Sequence, residues 1–77
     1  MKQGLRVPRR QLIIETIEYQ VACGEDLSDI FESALNRLSY YKDAQADCYE
    51  RNDEEAIERY QYKIDGIIME LDYLKSL

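Results

Sequence analysis

Two rows of side chains restrict what this chain can fold into more than any other feature. Phe31, Ala34, Leu38, Tyr41, Gln45 and Cys48 recur at alternating spacings of three and four, and so do Ile57, Tyr60, Ile64, Ile67, Leu71 and Leu74. That spacing is the seam of a coiled coil, in which each row keeps one side of a helix against a partner helix. If the chain doubles back near Asn52 and Asp53, the rows meet in order. Cys48 faces Ile57, Gln45 faces Tyr60, Tyr41 faces Ile64, Leu38 faces Ile67, Ala34 faces Leu71 and Phe31 faces Leu74. In every pair the residue numbers sum to 105. Two unrelated apolar stripes would not hold that register through six layers. An antiparallel αα-hairpin with one short loop accounts for it.

The rest of the chain supplies one more helix. Pro8 suits a first helical turn, because the N–H it lacks would have no partner there. The run that follows carries Ile13, Ile14, Ile17 and Val21 on one stripe and stops at Gly24, a natural C-terminal cap. Asp26 can cap the second helix, and Asn52 or Asp53 the third, with Glu54, Glu55 and Glu58 set where negative charge complements the helix dipole. The expected class is all-α, a small three-helix bundle built on a long antiparallel αα-hairpin. Its helices fall near residues 8–23, 26–51 and 53–77 of a single domain over 8–77, preceded by a basic arm over 1–7. The first helix is expected to dock through Ile13, Ile17 and Val21 beside Leu35 and Ile68. The polar layer has two readings: Gln45 bonds the Tyr60 hydroxyl and fixes the register, or it is hydrated near the open end of the hairpin.

Helix length also separates the cysteines. A continuous helix between Cys23 and Cys48 holds them roughly 30–35 Å apart, far beyond the reach of a disulfide. Both are expected to be reduced and buried.

Several chemistries are poorly supplied. The chain has no histidine, the commonest general acid–base residue and imidazole ligand. It has no glycine-rich phosphate loop, no calcium-loop pattern and no cysteine pair at zinc-ligand spacing. The carboxylates of "NDEEAIE" begin a helix at a wet hairpin tip, not in a cleft that could drive their pKa values apart. The expectation is a protein without catalytic activity, cofactor or metal. No stretch approaches the roughly 20 apolar residues that span a bilayer, and no signal-peptide core is evident. A cytoplasmic protein with no membrane partner is expected.

Charge and side-chain type then suggest partners. The net charge is −6, but residues 1–14 sum to +4 through Lys2, Arg6, Arg9 and Arg10, leaving −10 on the remainder. That basic arm is a weak site for nucleic acid. Direct nucleic-acid binding is not expected, because the helix that would enter a groove opens with Glu25, Asp26 and Asp29. Asp43, Asp47, Glu50, Asp53, Glu54, Glu55 and Glu58 crowd the turn end, and such a field attracts a basic protein groove. In physical type, a small acidic helical chain of this kind resembles viral anti-defence inhibitors that occupy the grooves of nucleic-acid-binding proteins.

A second candidate surface is the row Tyr62, Gly66, Met69 and Tyr73 on the outer side of the third helix. Tyr and Met are enriched in interface cores, and a glycine inside a helix costs about 1 kcal/mol, which suggests that something approaches closely there. Either a partner or the first helix can be the occupant. The leading functional expectation is a protein-binding regulator or inhibitor that occludes a target surface, with a homodimer as its expected state. The alternative is a homo-oligomeric structural or adaptor subunit that self-associates through its helices.

Overall fold

The computed structural model describes residues 8–77 and places them in three helices, α1 (Arg9–Ala22), α2 (Leu27–Glu50) and α3 (Glu54–Lys75). The protein is an all-α small bundle, and there is no strand among the described residues. Lys2 and Arg6 of the expected basic arm lie outside the described residues, whereas Arg9 and Arg10 open α1.

Each boundary has a local cause. Pro8 precedes the first helical residue and its carbonyl accepts the Leu12 N–H at 3.2 Å. Asp26 caps α2 by accepting the Ser28 N–H at 2.8 Å, and Asp53 caps α3 by accepting the Ala56 N–H at 3.2 Å. Both α1 and α2 end in the same device. The Glu25 N–H donates to Gln20 O and the Gly24 N–H to Val21 O. At the end of α2, the Asp53 N–H donates to Cys48 O and the Asn52 N–H to Tyr49 O. This is the Schellman arrangement, which needs a left-handed residue after the last turn. Gly24 supplies it at φ 95° and Asn52 at φ 56°. At the hairpin the residue that completes the stop, Asp53, is also the cap that starts α3, so three residues reverse the chain.

The α2–α3 pairing follows the expected seam. Ala34 (0% exposed), Ile67 and Leu71 form the buried cluster, with Phe31, Leu38 and Tyr41 packed against it. Ile64 and Cys48 are buried further toward the turn. The polar layer differs from both readings, and it lies toward the turn, not the open end. Gln45 is buried and donates from Nε2 to Ile57 O at 3.1 Å and to Gln61 Oε1 at 3.0 Å. Tyr60 instead tilts against the Tyr41 ring, with centroids 5.9 Å apart. An amide can donate twice, so a backbone carbonyl and a second glutamine together suit it better than one hydroxyl.

The first helix docks on the other side of the hairpin from the one expected. It packs against α3 along Tyr62, Gly66 and Tyr73, leaving Leu35 and Ile68 exposed. Only Ile17 of α1 is buried; Ile13 is half-buried and Val21 is exposed. Ile30, one residue off the expected seam, is buried, while Phe31 is only half-buried. The cysteines are both free, Cys48 buried and Cys23 exposed. Cys23 is exposed because it lies at the C-cap of α1, beyond the helix's last packed turn.

Candidate functional site

Three residues of the Tyr62–Tyr73 row, Tyr62, Gly66 and Tyr73, meet α1. Gly66 is buried. The Arg9 side chain lies over it, and a Cβ at residue 66 would stand 3.1 Å from Arg9 Cζ and closer still to Nη2. The same guanidinium stacks on the Tyr62 ring at 3.5 Å from the centroid and donates to the Tyr62 carbonyl. A planar, weakly hydrated cation suits such a place, since it can stack and hydrogen-bond at once. Tyr62 still exposes most of its surface, and Met69 and Tyr73 are half-buried. One of the four basic-arm residues therefore acts as a clasp on α3. Composition pointed to a close approach at Gly66; the residue opposite it was not visible from apolar spacing.

At the far end of α1, the Tyr73 hydroxyl donates to Glu18 Oε2 at 3.4 Å. Partial burial first, and then the Glu18 carboxylate, push the phenol above its ordinary value of 10.0. Loss of the proton would set two negative groups against each other. A raised folded-state value means stability that is present below the unfolded pKa and lost as the pH climbs through the folded one. As the pH climbs above about 10.0 the wild type should therefore lose more stability than Tyr73→Phe, measured by urea unfolding at each pH. Parallel curves would remove the Glu18–Tyr73 contact from the docking of α1.

Between α1 and the hairpin lies a cleft of about 410 Å³. Its walls include Leu12, Ile13 and Ile17, with Arg37 and Glu70 at its floor. Those two are joined by an ion pair of 2.7 Å, so the charge there is already matched. Among the described residues, no group of three or more histidine, cysteine or acidic side chains could hold a metal ion. No helix among them is long and apolar enough to cross a membrane.

The acidic residues do gather at the turn end. Asp43, Asp47, Glu50, Asp53, Glu54, Glu55 and Glu58 are all exposed. Asp47 pairs with Arg51 at 3.2 Å and Glu55 with Arg59 at 3.0 Å, each between residues four apart. Such exposed pairs contribute little stability. Asp43, Glu50, Asp53, Glu54 and Glu58 make no ion pair among the described residues, although Asp53 caps α3. Over residues 43–59, seven carboxylates against two arginines leave a net −5. The contacts of α1 on α3 run from Tyr62 to Tyr73 and begin one turn beyond Glu58.

No protein-family model matches the chain, and neither a curated protein nor a solved structure matches it.

Proposed function

We propose that this chain is a non-enzymatic protein-binding module that acts in the cytoplasm by occluding a surface of a protein target. The carrying observation is the bare acidic end of the hairpin. Carboxylates at a net −5 stand at the helix ends around the turn, beyond the α1 contacts that run from Tyr62 to Tyr73, and five of them have no ion-pair partner among the described residues. A preorganised negative surface favours a basic groove, speeds encounter and excludes polyanions. The groove of a nucleic-acid-binding protein has that chemistry, and occupying it would inhibit or regulate the target. A homo-oligomeric structural or adaptor subunit is the second reading, favoured by the exposure of Leu35 and Ile68.

Charge reversal tests the acidic end. Asp43, Glu50 and Glu58 make no hydrogen bond or ion pair among the described residues, so changing all three to lysine should leave the fold intact. Against a target captured from the native cell, the triple variant should bind at least about tenfold more weakly at low salt, with a flatter salt dependence. Equal affinity at low salt would refute the role of the acidic end.

A further inference from the structure

The flank of the hairpin facing away from α1 is apolar at its centre and charged at its corners. Residues two apart on a helix point about 200° apart, so Leu35 and Ile68 lie opposite Arg37 and Glu70, which face α1. They are 43% and 42% exposed and lie nearly level across the hairpin. Beside them, Leu27, Phe31 and Leu74 line a shallow cavity of about 390 Å³, with Glu32 at its edge.

The corner charges alternate in sign. Toward the open end, Glu32 stands on α2 and Lys75 on α3; toward the turn, Lys42 stands on α2 and Asp65 on α3. None of the four forms an ion pair among the described residues, although Asp65 accepts a hydrogen bond from Gln61. Asp72, also on this side, lies three residues from Lys75, and Glu50 and Glu54 lie on it nearer the turn, beyond the Lys42 and Asp65 corners. A face whose four corners alternate in this way attracts its own copy under a two-fold axis lying in the face, because each corner then meets its opposite. The apolar centre and charged edge are also the usual anatomy of an interface.

We propose that this flank binds a second copy of the chain, with α2 running antiparallel to the partner copy's α2. An axis along the helices would match the corners equally well but would bring two turn ends of net −5 together. An axis across the helices sends those ends apart and sets Glu32 toward the partner's Lys42.

Sedimentation from micromolar to sub-millimolar concentration tests this. The wild type should reach twice its 9.1 kDa mass, and Ile68→Asp should remain at 9.1 kDa. The substituted side chain is exposed, and circular dichroism verifies that the variant stays helical. Lys42→Glu should raise the dissociation constant about tenfold, and adding Glu32→Lys in the same chain should restore it. A double variant weaker than the single one overturns the antiparallel arrangement. A wild type that stays at 9.1 kDa, or an Ile68→Asp variant that still dimerises, overturns the interface itself. This inference goes beyond the target reading. A monomer that still binds its target through the acidic end defeats the dimer alone.

Discussion

Replacing Ile67 by alanine should cost about 2–5 kcal/mol, the range for removing most of a buried aliphatic side chain from a core that cannot close around the gap. Ile67 is 4% exposed and packs with Ala34 and Leu71. Ala34 already has the smallest side chain that bears a Cβ, so nothing on that side can move in to fill the space. A domain of this length has a total stability of roughly 4–11 kcal/mol, and the loss is therefore a large part of the whole. Urea unfolding followed by circular dichroism should show the midpoint falling with little change in slope. A loss below about 1 kcal/mol would place Ile67 at an accommodating surface instead of a packed layer.

Gly66→Leu should be the next most damaging change, at about 1–3 kcal/mol from overpacking. The added side chain would occupy the space of the Arg9 guanidinium and push the start of α1 off Tyr62. The expected signature is a coupling. In an Arg9→Ala background the penalty should shrink, and Gly66→Ala should stabilise by about 1 kcal/mol through helix propensity alone. A double-mutant cycle measures it directly. Additive effects would mean that the glycine and the arginine do not share one contact.

The hairpin could be read from the sequence because its evidence is redundant. Six positions on each helix repeat the same information, and a three-residue reversal leaves only one register that buries both rows. The side on which α1 docks lacks such redundancy. Leu35 and Ile68 are more apolar than Arg37, Gly66 and Glu70, so hydropathy favours the flank that is in fact exposed. What decides the matter is room and polarity. A missing side chain at Gly66 admits a guanidinium, whose hydrogen bond and ring stacking do not register as apolar spacing. The burial of Ile30 follows the same shift, since it lies on the α1 side of α2. Gln45 was recognisable as a polar layer, but the choice of Gln61 over Tyr60 depends on side-chain reach, which a residue-number sum cannot resolve. The exposed acids of the turn end were readable outright, because charged residues at a hairpin tip have no interior to enter.

The shared residue at the reversal has a kinetic consequence. With only Arg51, Asn52 and Asp53 between the helices, the first contact between Cys48 and Ile57 closes a very small loop, and each later layer extends structure already in place. Contacts that are local along the chain favour rapid formation. The α2–α3 pair is thus the nucleus that this topology makes easiest to build. The first helix is added across a longer detour and, with Ile17 as its only buried side chain, is the part most readily released.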